Sequence, residues 1–499
     1  MAYLRGYFKD RENKKLIAAV LMLNLFTTLF ILNYINNDTD ILWHFKVGQE
    51  IVESRTISFV NNFTFQSGTY WNQHEWLFDI LIYLVINYTG MLGFIAIKYI
   101  LEIITMFTCM GIAKPKNGAL WICVYTILRL VIPCSFANRP AEYSIICLVV
   151  ALWAFSTTSH TFRTRAWFMC ITGLIVANIH GGLVGTILCL LFIGYISDRL
   201  SDAKYKIKNL ARTKEKAKLL LIFLVSSAIN PTGINIWLYP LYVSNLRSTD
   251  YILEWKQFNF GIISSILIIY LFISLGYSVH KRNFSSDVVR TTAWICGLGV
   301  LSLMTSRSIA ILFYVWITFD CQYSTDIICD YAKGMFRSSK KSKTLHRTLS
   351  IVTWSIVELT SLILVLMQLL TVTYIDFETY ADRGVSNKIL DTLESRYRDS
   401  DKILAGYSVN NNIMFRGMKV FVDTRQTPYD TYDNESLIEL IELSEGKDRE
   451  RCDGIIEHYK FDYIWTSEEL NLGWYLKDND RYRLILSDEQ LDEKLYTRI

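Results

Sequence analysis

Apolar residues come in long blocks along this chain, with short polar stretches between them. The blocks run 16–35, 76–89, 91–112, 118–136, 141–157, 166–197, 218–229, 258–279, 290–304, 307–322 and 349–374. Several reach the roughly 17–25 residues a helix needs to cross a bilayer. The pattern predicts a polytopic, mainly α transmembrane bundle of roughly eleven spans. The block 166–197 is interrupted by His180-Gly181-Gly182. It reads either as one tilted span or as two half-helices, and the count takes it as one crossing.

Between the first two blocks lies a polar and aromatic loop, 36–75, with Asp38, Asp40, His44, His74 and Glu75. Within it, 40–53 has helical spacing, with Ile41, Phe45, Gly48 and Val52 on one face. It is expected to lie along the membrane interface with Trp43 and Phe45 dipping into the headgroups. After the last block the pattern changes. Short apolar runs at 402–404, 419–422, 463–465 and 483–486 alternate with helical stretches such as 436–443. That predicts a small α/β domain over 377–499, after a membrane domain over 1–376.

Charge orients the blocks. Arg5, Lys9, Arg11, Lys14 and Lys15 precede the first block and place the N-terminus in the cytoplasm. The basic stretch 198–218, Lys281, Arg282, Arg290 and the basic loop 323–348 fall inside on the same count. Arg163 and Arg165 then fall outside, against the scheme. The first loop and the tail are extracytoplasmic, and the tail carries about nine more acidic than basic residues. The first block is too long for a signal-peptide core and lacks a small-residue cleavage site.

Over 499 residues the composition is 52% hydrophobic, which fits a membrane protein. The net charge of +4 and the lack of a basic–aromatic stripe exclude nucleic acid as a partner. The ten cysteines form no C-x-x-C pair, and only Cys452 lies in the tail, which therefore has no internal disulfide.

The candidate chemistry sits in the loops. Asp40 and His44 are four apart and share a helix face, and Asp38 stands just before them. Two carboxylates and an imidazole can deprotonate a hydroxyl, or hold a divalent cation such as Mg or Mn. The alternative is that Asp38 or Asp40 caps the helix. His74-Glu75-Trp76 opens the second block, either facing the same cleft or as a solvated pair beside an interfacial tryptophan. Glu254-Trp255 follows an amphipathic stretch, 235–251, on the same side. His180 and Asn178 lie inside an apolar block, where polar groups are costly unless paired or facing a water-filled cavity. Arg139 and Arg307 begin spans, where an arginine contacts lipid headgroups or receives a phosphate. Asp423 and Arg425 are expected to pair within the tail.

These residues in order resemble a family. A span is followed by Asp38-x-Asp40-x-x-Trp43-His44, with Gly48 four residues on, then Trp71-x-x-His74-Glu75-Trp76-Leu77. Downstream come Arg139-Pro140, Ala177-Asn178-Ile179-His180-Gly181-Gly182, Asn230-Pro231-x-Gly233, Glu254-Trp255 and Arg307. The tail adds Gly406-Tyr407 and Lys419-Val-Phe-Val-Asp423-Thr424-Arg425. The chain resembles bacterial membrane proteins of the C-type (GT-C) glycosyltransferase superfamily, distant relatives of protein O-mannosyltransferases and lipid A aminoarabinose transferases. It departs from them at Leu42, where many have tryptophan, and at Thr424, where many have glycine.

The resemblance implies a cell-membrane enzyme whose donor is a sugar on a polyprenyl phosphate. The acceptor would be a hydroxyl on a cell-envelope glycan, a lipid-linked glycan or a protein. Asp40 would be the catalytic carboxylate, with Asp38 as its partner or as a metal ligand. His44, His74, Glu75 and Glu254 would line the acceptor side, and His180, Arg307 and Arg139 would meet the donor phosphate. A polysaccharide polymerase, a lipid-linked glycan transporter and an inactive assembly scaffold are the alternatives. Polymerases usually carry their large polar loop late, whereas here the acidic loop is first. A transporter would favour an internal repeat, and none is visible.

Overall fold

A computed structural model describes residues 39–131 without 67, 139–204, 210–252, 255, 262–281, 285–323, 325, and 376–499 without 432, 433 and 478, besides residues 4, 6, 18, 22 and 25. The block 349–374 and most of the block 16–35 and of the loop 323–348 therefore lie outside the described residues, as do Asp38 and Glu254. The chain divides into two units. One comprises Met1–Asn36, Leu92–Pro240 and Glu254–Tyr374; the other comprises Asn37–Met91, Leu241–Leu253 and Ile375–Ile499. The first loop is thus grouped with the tail.

The first unit is helical. Helix α1 (Asp40–Ser54) belongs to the second unit, and α2 (Trp76–Ala113) runs from the second unit into the first. Then come α3 (Gly118–Val131), α4 (Pro140–Ser156), α5 (Phe162–Ile179), α6 (Gly181–Lys204) and α7 (Leu210–Ser227). Further along the chain come α9 (Ile262–Lys281), α10 (Ser286–Met304) and α11 (Ser308–Phe319). Among the described residues three helices are long and apolar enough to cross a membrane: Trp76–Ala113, Gly181–Ala203 and Ser286–Met304.

Two breaks shape this unit. Helix α2 is interrupted at Gly90, whose φ of 65° and ψ of −169° suit glycine alone. The break falls between the apolar runs 76–89 and 91–112, as the sequence pattern expects. The second break is His180, at φ −150° and ψ 76°. The block 166–197 is therefore two helices of 18 and 24 residues, each about as long as a bilayer core is thick.

Side-chain pairs fix which helix ends lie together. Arg165 at the start of α5 donates to Glu215 on α7 at 3.2 Å and to the Ala154 carbonyl of α4 at 3.1 Å. Asp198 of α6 accepts from Lys216 of α7 and from Arg290 of α10, the latter at 2.9 Å. These groups share one end of the unit. At the other end, Asn178 donates to the Ile229 carbonyl at 2.8 Å, and His180 meets Ser144. Arg165 thus lies at the same end as Lys216 and Arg290, whereas the sequence count set Arg163 and Arg165 on the opposite side. The reason is the His180 break: the chain runs up α5 and back down α6.

Small residues let these helices approach. A Cβ on Gly173 would meet Ser226 Oγ at 2.2 Å, and one on Gly194 would meet Trp294 Nε1 at 3.0 Å. Trp121 and Trp294 are fully buried, and each satisfies its indole N–H on a backbone carbonyl, Ile317 and Leu190 respectively.

The second unit has a four-stranded sheet of order β1-β2-β4-β3. Strands β1 (Ile403–Leu404) and β2 (Tyr463–Thr466) are parallel. Strands β3 (Tyr482–Asp488) and β4 (Glu493–Arg498) pair antiparallel, with a register shift between Leu484 and Leu486. Three of the four expected apolar runs form β1, β2 and β3. The run 419–422 makes only isolated bridges, Val420 to Thr64 and to Ile403. Within this unit α8 (Tyr239–Ser244), only partly inside it, leads to a 3-10 turn at Arg247–Asp250. The tail carries α12 (Phe377–Ala381), α13 (Asn387–Arg396), α14 (Val409–Phe415), α15 (Ser436–Glu445), α16 (Arg449–Tyr459) and α17 (Gly473–Leu476).

Helix α1 forms as expected but is buried more widely than one face. Ile41, Leu42, Trp43, His44, Val47, Gly48 and Ile51 are buried, whereas Val52 is 36% exposed. Trp43 packs edge-on to Trp71 in a core with Ile389, Leu393, Val420 and Trp465. Phe45 packs against Phe377 and Tyr83. Neither aromatic is a headgroup anchor: tail residues cover the helix where lipid was expected.

Candidate functional site

Asp40 is the first residue of α1. The N-cap is Thr39, whose side chain makes no capping bond. In the first turn a carboxylate is favoured by the helix dipole. The Asp40 Oδ1 accepts a hydrogen bond of 2.5 Å from the Thr424 hydroxyl. Asn411 Nδ2 donates to Thr424 Oγ1 at 2.7 Å and to Thr39 Oγ1 at 3.0 Å. Asp40 is therefore held by the tail.

The flanks of Thr424 are pinned. Arg425 donates to Asp423 through Nε at 2.9 Å and Nη2 at 2.5 Å, the expected pair. Nη2 also reaches Asn61 Oδ1 at 2.6 Å, which ties the first loop to the tail. The guanidinium lies over the Trp71 ring at 4.4 Å and the Phe63 ring at 5.0 Å. Burial works against this charge, but Asp423 and Tyr429 outweigh it and raise the Arg425 pKa.

His44 has a partner the sequence reading missed. Its Nδ1 lies 2.5 Å from Asp79 Oδ1 on α2, and both side chains are buried. The signal was a lone carboxylate in the apolar run Trp76-Leu-Phe-Asp79-Ile-Leu-Ile, which is costly unless paired. Gly48 permits the approach, since a Cβ there would stand 2.0 Å from the Asp79 carbonyl oxygen.

His74 Nε2 is 3.4 Å from Glu75, and its Nδ1 donates to the Asn72 carbonyl at 2.9 Å. Burial disfavours the His74 imidazolium, yet the Glu75 carboxylate prevails and raises its pKa above the usual 6.5.

In the first unit, Arg139 is the N-cap of α4, extended at φ −120° and ψ 156°, with Pro140 opening the helix. Ser144, one turn on, lies 2.9 Å from His180 Nδ1. Arg307 is the N-cap of α11, and its guanidinium lies 5.0 Å from the centre of the Trp255 ring. Here too sequence reasoning missed acidic groups. Glu142 pairs with Lys98 at 3.2 Å, and Glu102 accepts from Tyr125 at 2.8 Å. All four are buried among apolar residues. Of the donor-side candidates, the structure joins His180 to the first turn of α4.

Among the described residues no three His, Cys, Asp or Glu side chains gather as a metal site. Asp38, the other carboxylate named as a possible metal ligand, lies outside the described residues.

No protein-family model and no curated protein sequence matches this chain. Solved structures do. The Archaeoglobus fulgidus oligosaccharyltransferase tethered to an acceptor peptide with an NVT sequon has a TM-score of 0.57 at 10% identity, over 93% of this chain and 70% of that one. The archaeal oligosaccharyltransferase AglB of the same organism, in complex with an inhibitory peptide and a dolichol-phosphate, has a TM-score of 0.59 at 9% identity, over 92% and 70%. ArnT from Cupriavidus metallidurans, bound to undecaprenyl phosphate, has a TM-score of 0.52 at 11% identity, over 96% and 97%. The chain shares its fold with these oligosaccharyltransferase and ArnT structures.

Proposed function

We propose that this chain is a membrane glycosyltransferase that moves a sugar from a polyprenyl-phosphate donor to a hydroxyl on a cell-envelope glycan, a lipid-linked glycan or a protein. The observation that carries the reading is Asp40, a carboxylate of the first loop fixed by a hydroxyl of the tail, in a chain with a GT-C fold. Two structures of that fold hold a prenyl-type phosphate lipid.

The chemistry divides between two groups of residues. The acceptor hydroxyl attacks the anomeric carbon as its bond to the phosphate oxygen breaks. Asp40 takes the hydroxyl proton, and the lipid phosphate leaves with the bonding electron pair. A cation near that phosphate stabilises its growing charge. Arg307 and Arg139 suit this role, with His180 as a donor.

Helix ends support the same arrangement. Taking 76–89 as not crossing and α5 and α6 as separate crossings keeps the count at roughly eleven. Lys114, Lys116, Arg163, Arg165, the stretch 198–218, Lys281, Arg282 and the loop 323–348 then share the cytoplasmic side. Arg139, His180 and Arg307 fall on the outer side, as do the first loop and the tail. The prenyl chain stays in lipid while its phosphate is at the surface.

Binding tests the reading. Purified protein is expected to be stabilised against heat by a prenyl-phosphate sugar more than by the matching pyrophosphate-linked glycan. Arg307→Ala is expected to weaken the donor about tenfold or more and the acceptor little. Equal weakening of both, or a preference for the pyrophosphate lipid, would count against it.

A further inference from the structure

We infer that Thr424, in the tail, is a positioning residue for the Asp40 carboxylate, so that the tail completes the reacting centre rather than serving assembly alone. The inference rests on the catalytic role proposed for Asp40, and it adds a residue to which no role is assigned.

The geometry fixes which way the hydroxyl proton points. Thr424 Oγ1 accepts the Asn411 amide N–H at 2.7 Å and lies 2.5 Å from Asp40 Oδ1. An ionised carboxylate only accepts, so the single hydroxyl proton is directed at Asp40. Asn411 also holds Thr39, the residue before Asp40, at 3.0 Å. One amide therefore grips the backbone neighbour of the carboxylate and the hydroxyl that orients it.

The backbone at Thr424 has little freedom. Its neighbours Asp423 and Arg425 are fully buried and joined to each other, and Arg425 is joined to Asn61 of the first loop. The Thr424 carbonyl accepts the Tyr407 hydroxyl at 3.0 Å, and its N–H reaches Asn411 Oδ1 at 3.4 Å. A hydroxyl placed so firmly favours one rotamer of the Asp40 carboxylate. A hydrogen bond to the charged form also favours ionisation, which a base requires. A one-ångström error in a general base costs a large factor in rate, whereas substrate affinity depends on other groups.

The test uses the full chain in detergent and four variants: Thr424→Val, which keeps the shape and removes the hydroxyl, Thr424→Ser, Asp40→Asn, and the Thr424→Val/Asp40→Asn pair. Two readouts are taken. One is the pH dependence of carbodiimide labelling of Asp40, followed by peptide mass spectrometry, which does not depend on sugar transfer. The other is kcat and KM for transfer from a prenyl-phosphate sugar.

Thr424→Val is expected to move the labelling profile to higher pH and to lower kcat about tenfold to a hundredfold with KM within about twofold. Its acid limb of the rate profile should move the same way. Thr424→Ser should restore both readouts, and in the Asp40→Asn background Thr424→Val should cost little more. An unchanged labelling profile in Thr424→Val overturns the pairing. A shifted profile with unchanged kcat, or an undiminished loss in the Asp40→Asn background, overturns the positioning role. Full transfer by Asp40→Asn overturns the catalytic role of Asp40, and the positioning role with it, while a labelling shift would still show the pairing.

Discussion

The His44 imidazole and the Asp79 carboxylate lie 2.5 Å apart, both buried, and join helix α1 of the first loop to the start of α2. Taking away one member leaves the other buried without its partner. Such a loss costs about 3–5 kcal/mol, whereas replacing both by apolar groups is often tolerated. Asp79→Leu is therefore expected to lower the thermal midpoint of the purified protein sharply, and His44→Phe/Asp79→Leu to recover part of it. A single variant with an unchanged midpoint would show that the pair contributes nothing.

Gly48 is where these two helices meet most closely. An added methyl would stand 2.0 Å from the Asp79 carbonyl oxygen and 2.8 Å from Tyr83 Cβ. Neither neighbour is the end of a flexible chain, so the helices must part. Overpacking of this kind costs about 1–3 kcal/mol or more. Gly48→Ala should reduce folded yield and thermal stability, while Gly454→Ala, with open space around it, should not. Equal behaviour of the two would contradict the contact.

His74 gives a pH signature. Its pKa is raised above 6.5 by Glu75, so the folded state holds the proton more tightly than the unfolded chain. The pairing therefore contributes in full below about pH 6.5 and is lost as pH rises through the raised value. The gap in thermal midpoint between the wild type and His74→Gln should be larger at about pH 6 than at about pH 9. A gap that is constant or grows with pH would have the wrong sign.

Much of this was legible in the sequence, and the failures have physical causes. Helical spacing located α1, and the Gly90 and His180 interruptions were visible as breaks between apolar runs. The partner of His44 was missed because helical spacing shows only neighbours such as Asp40, four residues away, while Asp79 lies 35 positions on. Spacing reports local neighbours and is silent on tertiary ones. The headgroup role given to Trp43 and Phe45 failed for the same reason: an apolar face looks alike whether lipid or protein covers it. Strand β4 was missed because Glu493, Lys494 and Arg498 mask its alternation. Thr424 stood out only as a departure from a pattern, with nothing in the sequence to say what it touched.

The His180 break makes a prediction about sidedness. Arg165 pairs with Glu215 within the basic stretch, so the proposed topology puts the turn before α5 on the cytoplasmic side. A cysteine at Arg163 should react only with a membrane-permeant maleimide in intact cells. A cysteine at Ser306, beside Arg307, should react with an impermeant one. Labelling of both from the same side would overturn the proposed topology.

Asp40 is proposed as the base of a sugar transfer from a prenyl phosphate. Its most direct test is single-turnover transfer by purified wild type and Asp40→Asn with a prenyl-phosphate sugar and a hydroxyl acceptor. Asp40→Asn is expected to lower the transfer rate about a hundredfold or more, with donor binding kept. Wild-type turnover by Asp40→Asn would contradict it.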